Sequence, residues 1–123
     1  DLQLVHVNEH KGGVETAAHL VEFDSVHGRY QGSVGVDATN LVIDGSMVSF
    51  SSHTTPGAVP WDELGVDLVI EATGKFRTSE LLEPYFDRGV RKVVVAAPVK
   101  SAGVLNVVMG CNDHLYDQLS IAS

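Results

Sequence analysis

The feature that most constrains the fold is a pair of continuous apolar runs on either side of a helical segment. Residues 66–70 (VDLVI) and 92–97 (KVVVAA) each have the length of a strand, and residues 79–88 carry a helical pattern that ends at Gly89. Near-continuous apolar runs are typical of parallel strands that are buried on both faces. Strand, helix and strand in this order predict a parallel crossover unit and therefore an α/β fold.

The first half of the chain adds a strand, a helix and a hairpin. Residues 2–8 (LQLVHVN) are expected to form a strand, and residues 14–23 place apolar side chains at helical spacing. Asp44-Gly45 lies between two strand-like apolar runs, and this pair tolerates the positive φ angles of a tight primed turn. Shorter patterns predict a helix at 61–64 and a strand at 105–109. Together these elements predict a layered α/β sheet.

Charge and composition exclude several classes of function. Eight Lys and Arg stand against sixteen Asp and Glu, a net charge of −8. No block of basic residues is present, so a nucleic-acid partner is not expected. No apolar run reaches the ~20 residues of a membrane-spanning helix. The single cysteine, Cys111, forms no internal disulfide, fits the cytoplasm and is expected to be a small buried residue. The six histidines show no paired ligand spacing, so no metal site is expected.

Three predicted strands end in residues that suit a flat ligand. They end at Asn8-Glu9, Thr73-Gly74 and Ala96-Ala97. Ligands of parallel α/β sheets bind outside the carboxyl ends of the strands, where an acidic residue can accept both hydroxyls of an adenosine ribose. Small residues at the other ends let a cofactor approach the backbone. The same residues are also common in solvated turns, so the pattern alone leaves both interpretations open.

Longer motifs make the pattern more specific. They are NEH at 8–10, DSVHGRY at 24–30, LVIDG at 41–45, PWDELGVDLVIEATGKF at 60–76, GVRKVVVAAP at 89–98 and VMGCNDHLY at 108–116. In their order and spacing they resemble the NAD-binding domain of the glyceraldehyde-3-phosphate dehydrogenase family. The resemblance implies a partial doubly wound (Rossmann-like) parallel sheet that lacks its first strand and Gly-rich loop. Residues 1–123 would then be an incomplete NAD-binding domain, with the catalytic domain absent.

The resemblance also implies a cofactor, NAD, and the residues that face it. Asn8 and Glu9 correspond to family residues that face the adenosine ribose and a nearby phosphate. Thr73 and Gly74 correspond to residues beside the central part of the cofactor, and Phe76 to an aromatic beside the adenine. Ala96 and Ala97 correspond to residues on the nicotinamide side. A carboxylate at position 9 disfavours a 2′-phosphate, so NAD is expected in preference to NADP.

The family's reaction needs groups that these residues do not include. In the family, a cysteine thiolate attacks an aldehyde, hydride passes to the nicotinamide, and phosphate cleaves the resulting thioester. That cysteine lies in a Ser-Cys-Thr-Thr-Asn motif, whereas this sequence ends at Ala122-Ser123, where the cysteine would follow. We therefore expect no catalytic residue here and no activity from the chain alone. The parent enzyme is expected to be a cytoplasmic homotetramer with a small-molecule substrate.

Two alternatives stay open at the level of sequence. HKGG at 10–13, EATGKFRT at 71–78 and AAPVK at 96–100 resemble dehydrogenases encoded with arsenate-resistance genes, which are thought to use arsenate in place of phosphate. The alternative to an enzyme fragment is a non-catalytic α/β module that keeps a partial nucleotide cleft. The segment after Tyr116 is also shorter than in relatives, which indicates a local deletion or a tail foreign to the family.

The missing first strand has a consequence for strand pairing. In the doubly wound order 3-2-1-4-5-6, that strand lies between the strands predicted here at 2–8 and 66–70. Without it, both strands present unpaired main-chain groups, which cost about 1–3 kcal/mol each when buried. We therefore expect residues 2–8 to pair directly with 66–70 or to leave a groove between the two segments. We also expect the isolated fragment to aggregate through these edges.

Overall fold

The computed structural model describes residues 2–115, in two compact units, Asp1–Val66 and Asp67–Ser123. In the first unit, the helix is α1 (Gly13–Glu22) and the strands are β1 (His6–Asn8), β2 (Phe23–Asp24), β3 (Gly28–Arg29), β4 (Val34–Asp37), β5 (Asn40–Ile43) and β6 (Ser46–Ser51). In the second unit they are β7 (Leu68–Glu71), α2 (Ser79–Asp87) and β8 (Lys92–Val95). Each unit contains helix and a parallel strand pair, which confirms the α/β class. No helix within residues 2–115 has the length and apolar character needed to cross a bilayer.

The main sheet of the first unit has the strand order β1-β6-β5-β4. β1 pairs with β6 in parallel, with His6 opposite Ser49 and Asn8 opposite Ser51. The other two pairings are antiparallel, and β2 and β3 form a separate two-stranded ribbon. The parallel pair matters most for function, because it brings the polar end of β1 beside the end of β6.

The predicted hairpin is confirmed between β5 and β6. Asp44 and Gly45 have φ angles of 51° and 78°, and Ile43 lies opposite Ser46. Positive φ at both central residues matches the right-handed twist of the flanking strands. β4 precedes this hairpin as a further strand, which the sequence did not predict. It pairs with β5 through a second tight turn in which Ala38 has a φ of 53°.

One face of α1 packs on this sheet and forms the core of the first unit. Ala17 and Ala18 of α1 are buried against Leu41 of β5 and Val48 of β6, which are 0% and 2% exposed. The small helix side chains let the helix approach the sheet closely. The helix predicted at 14–23 is confirmed, with each end one residue earlier. It follows Gly12, where a Cβ atom would lie 2.7 Å from Thr16, so glycine is required there.

The second unit is built on the predicted crossover. β7 and β8 pair in parallel, with Leu68 opposite Lys92 and Glu71 opposite Val95, and α2 connects them. Gly89 has a φ of 82° just after α2, as expected for a residue that ends a helix. Both strands lie within the predicted runs or one residue beyond them.

Three local expectations were wrong. Residues 105–109 form no strand, because the Asn106 carboxamide binds both main-chain groups of Val99, at 2.9 and 3.0 Å, in place of a strand ladder. Residues 61–65 form a turn instead of a helix, held by the buried Trp61, whose indole N–H donates to the Pro56 carbonyl. Cys111 is exposed, because it lies in a polar turn after Gly110.

Direct pairing of residues 2–8 with 66–70, one of the two outcomes expected for these segments, does not occur. Within the described residues, β1 pairs with β6 and β7 pairs with β8. The ladder of β1 is short, with residues 2–4 exposed and irregular before it. β1 is the terminal strand of its sheet, so within the described residues the edge opposite β6 has no strand partner. The expectation for the segment after Tyr116 lies outside the described residues.

Candidate functional site

The carboxyl end of β1 is fastened to the chain that leaves β6. The Asn8 Oδ1 atom accepts hydrogen bonds from the Ser51 hydroxyl at 2.8 Å and from the His53 main-chain N–H at 2.9 Å. Its Nδ2 atom donates to the His53 carbonyl at 3.0 Å. Both acceptor positions of the Asn8 side chain and one of its two N–H groups are therefore bonded within the protein, and only one side-chain N–H remains for a ligand.

Glu9 is more open than Asn8. Its main-chain N–H donates to the Ser51 carbonyl at 3.0 Å, which extends the β1–β6 ladder by one residue. Its Oε1 accepts from the Lys11 N–H at 3.0 Å, and the His10 ring lies 3.4 Å away. The side chain is 45% exposed, and Oε2 takes no hydrogen bond from residues 2–115. This oxygen can accept a ligand hydroxyl.

A histidine that the sequence did not single out stands behind this strand end. His6 contacts the Ser49 hydroxyl at 2.7 Å through Nδ1 and the Ser51 hydroxyl at 2.8 Å through Nε2. Its ring also meets the Trp61 ring edge-on, with the centroids 5.5 Å apart. Partial burial of the ring, followed by the nearby His53, lowers the pKa of His6 below its ordinary value. His6 is therefore favoured as the neutral imidazole.

The sequence carries part of the signal for this cluster. His6 and Asn8 alternate along β1, and Ser49 and Ser51 alternate along β6. Because side chains two apart share a face of a strand, polar residues at this spacing on adjacent strands meet on one face. The pairing of β1 with β6 could not be read from the pattern, since the contacts join residues 43 to 45 positions apart.

In the second unit, a buried carboxylate shapes the turn after β7. Glu71 is only 3% exposed, and its Oε1 accepts from the Thr73 N–H at 2.7 Å and from the Thr73 hydroxyl. Its Oε2 accepts from the hydroxyl of Tyr85 on α2. Burial, together with the bond to Glu71, raises the pKa of Tyr85, so this hydroxyl keeps its proton and stays a donor. The Thr73 hydroxyl also accepts a hydrogen bond from the Lys75 N–H, so the Thr73 side chain stabilises the turn.

The other residues singled out here offer space and main-chain groups. Gly74 has a φ of 73°, and no atom lies within 4 Å of where its Cβ would be. It is exposed, and its N–H finds no acceptor among the residues that the structure describes. Ala96 and Ala97 lie in a bend directly after β8, where the Ala96 N–H donates to the Glu71 carbonyl at 2.9 Å. Phe76 is partly buried in the segment between Gly74 and α2.

The predicted site residues thus fall into two groups, one in each unit. Asn8 and Glu9 follow β1, whereas the five others follow β7 and β8: Thr73, Gly74, Phe76, Ala96 and Ala97. Each of these strands belongs to a parallel pair, and the residues follow its carboxyl end, where α/β sheets bind ligands. In the first unit, an open carboxylate oxygen and one free amide N–H suit ribose hydroxyls and a phosphate; in the second unit, the open glycine turn offers a main-chain N–H. Within residues 2–115, no cluster of three or more His, Cys, Asp or Glu could hold a metal ion.

The DSVHGRY motif at 24–30 has a structural role in the first unit. The Asp24 carboxylate accepts from the main-chain N–H groups of Val26 and His27, at 2.8 and 2.6 Å, and from the His27 ring at 3.0 Å. These bonds lower the pKa of Asp24. Arg29 forms an ion pair with Glu22 at 2.6 Å. The motif therefore holds the β2–β3 ribbon against the end of α1.

Fold and strand ends together define a dinucleotide-binding α/β domain. Residues 1–79 match the family model described as the NAD binding domain of glyceraldehyde 3-phosphate dehydrogenase. This match covers more than half of the 123 residues, so the chain belongs to the glyceraldehyde-3-phosphate dehydrogenase family. NAD is the cofactor of the domain that these residues represent.

Individual relatives agree with the family model. The chain is 56% identical over 117 residues to glyceraldehyde-3-phosphate dehydrogenase 3 of Nostoc sp. strain PCC 7120, which covers 95% of this chain and 34% of the relative. It is 39% identical over 119 residues to the Thermotoga maritima glyceraldehyde-3-phosphate dehydrogenase, an alignment that covers 97% of this chain and 34% of the relative. It is 38% identical over 122 residues to glyceraldehyde-3-phosphate dehydrogenase 1 of Kluyveromyces lactis, an alignment that covers 99% of this chain and 36% of the relative. The chain thus spans about one third of the length of these relatives.

Proposed function

We propose that this chain supplies part of the NAD site of a phosphorylating glyceraldehyde-3-phosphate dehydrogenase. Family membership supports the reaction class. The observation that carries the cofactor assignment is the open Glu9 carboxylate oxygen at the end of a parallel strand. A carboxylate at this position accepts ribose hydroxyls and repels a 2′-phosphate.

The remaining residues have distinct proposed roles around the cofactor. Asn8 donates its one spare N–H to a ribose or phosphate oxygen beside Glu9. Gly74 offers an open main-chain N–H to the central part of the cofactor, while Thr73 holds the turn in shape. Phe76 lies on the adenine side, and Ala96 and Ala97 leave room on the nicotinamide side. When bound, NAD supplies the hydride acceptor for oxidation of the aldehyde.

The proposal extends to the parent enzyme. We place this chain in an incomplete NAD-binding domain of a cytoplasmic homotetramer, whose catalytic cysteine and base lie outside these 123 residues. The acyl acceptor is phosphate or arsenate. Stretches such as residues 71–78, which resemble the arsenate-linked subgroup, support the second acceptor. On this proposal, a polypeptide of these 123 residues alone has no dehydrogenase activity.

The test uses a hybrid enzyme, because the chain spans only a third of its relatives. In the Nostoc relative, the aligned segment is replaced by this chain, and NADH formation is followed with glyceraldehyde 3-phosphate and either phosphate or arsenate. We expect turnover close to that of the unmodified Nostoc enzyme. A hybrid that folds and binds NAD but does not turn over would favour the non-catalytic nucleotide-binding module. A folded hybrid without NAD binding would contradict the proposal.

A further inference from the structure

The Asn8 carboxamide has a fixed orientation. Its oxygen faces the His53 N–H and its nitrogen faces the His53 carbonyl, at 2.9 and 3.0 Å. In the reverse orientation, the amide N–H group would face the His53 N–H, donor against donor, and the amide oxygen would face the His53 carbonyl, acceptor against acceptor. The orientation is therefore determined by the main chain.

This orientation determines where the hydroxyl protons of the cluster lie. Asn8 Oδ1 is an acceptor, so the Ser51 hydroxyl, 2.8 Å away, must donate to it. The Ser51 oxygen then accepts from His6 Nε2, also 2.8 Å away, which makes Nε2 the protonated nitrogen. The Nδ1 atom of a neutral His6 is consequently an acceptor.

Ser49 lies on the Nδ1 side of the His6 ring. Its hydroxyl lies 2.7 Å from His6 Nδ1 and 3.0 Å from the Val5 carbonyl. The hydroxyl carries one proton, for which the Val5 carbonyl, which also accepts the Ser49 main-chain N–H at 3.1 Å, and His6 Nδ1 are the two acceptors within reach. Each donor from His6 Nε2 through Ser51 to Asn8 thus has one defined acceptor.

We infer that His6 and Ser51 are positioning residues for cofactor binding, which act by holding the Asn8 carboxamide so that a single N–H faces the ligand. We call the series His6–Ser51–Asn8 the Asn8 relay. With both lone pairs of Oδ1 filled by Ser51 and His53, Asn8 can only donate. The inference rests on the proposed function, since the ligand oxygen that receives this N–H is one of NAD.

Loss of the Ser51 hydroxyl changes what Asn8 presents. Oδ1 then has an unfilled lone pair, and the carboxamide is held only by the two His53 bonds at an exposed position. An unfilled acceptor repels a phosphate oxygen, and the amide gains freedom to rotate away. Both effects weaken cofactor binding without touching the cofactor.

The experiment measures NAD affinity of the cofactor-free hybrid enzyme by calorimetry. Ser51→Ala should weaken binding between about twofold and tenfold, the fold-change for one neutral hydrogen bond. Ser51→Thr keeps the hydroxyl and should restore most of the affinity. Ser52→Ala, the same change one residue on at an exposed position, is the matched control and should leave affinity unchanged. In an Asn8→Ala background, Ser51→Ala should have no further effect.

A second readout does not depend on NAD. Amide hydrogen exchange at His53, whose N–H is held by Asn8, should be faster in His6→Ala and Ser51→Ala than in Ser52→Ala. Equal exchange in all three variants would overturn the relay. So would an effect of Ser51→Ala on NAD affinity that persists in full without Asn8. A hybrid that fails to bind NAD would contradict the proposed function, while exchange at His53 would still decide the relay.

Discussion

Replacing Tyr85 with Phe removes one hydroxyl from α2 and nothing else. That hydroxyl donates to Glu71, and the two residues are 4% and 3% exposed. A hydrogen bond to a charged group is worth about 1.5–3 kcal/mol, and water cannot replace it here because the carboxylate is buried. Tyr85→Phe should therefore lower the free energy of opening of α2 and of the turn at Thr73 by this amount.

Hydrogen exchange of the hybrid enzyme, measured by mass spectrometry on peptides covering α2, gives the magnitude. The loss corresponds to exchange about tenfold to 150-fold faster. Tyr30→Phe is the matched control, because the Tyr30 hydroxyl also donates to a carboxylate, that of Asp44 at 2.6 Å, but Tyr30 is 40% exposed. Water can replace that bond, so exchange around Asp44 should change far less. If Tyr85→Phe accelerated exchange no more than Tyr30→Phe, the role assigned to the buried pair would be refuted.

Three further expectations concern activity, pH and packing. The 123-residue chain alone should form no NADH from glyceraldehyde 3-phosphate, NAD and phosphate; turnover that copurifies with it would contradict this. Because the pKa of His6 is lowered in the folded state, the unfolded state binds more protons. Protection of the β1 amides against hydrogen exchange in the hybrid should therefore fall as the pH drops below about 6.5. The fall should be smaller in His6→Gln. Leu41→Ala should cost about 2–5 kcal/mol of stability in urea unfolding, whereas Leu20→Ala, at a side chain 60% exposed, should cost much less.

Local signals in the sequence predicted the elements that depend on neighbouring residues. Asp44-Gly45 determines its own turn through φ, and the helices at α1 and α2 follow from apolar spacing and glycine ends. The strand at 105–109 failed because Asn106 binds the Val99 main chain, a contact that apolar pattern does not encode.

The site was predictable only in part, for a similar reason. Family motifs pointed to Asn8, Glu9 and the residues after β7 and β8. They did not show that Thr73 turns its hydroxyl to Glu71, or that Asn8 is held from β6. These bonds depend on strand pairing and on the packing of α2 across the turn, which are tertiary features.

The central claim is that Glu9 at the end of β1 makes this an NAD site. Calorimetric titration of the cofactor-free hybrid enzyme with NAD and NADP tests it most directly. We expect NAD to bind at least about tenfold more tightly, about 1.4 kcal/mol. Glu9→Ala should narrow that preference, and Glu63→Ala, at another exposed glutamate, should leave it unchanged. Equal affinity for the two cofactors before any substitution would contradict the account.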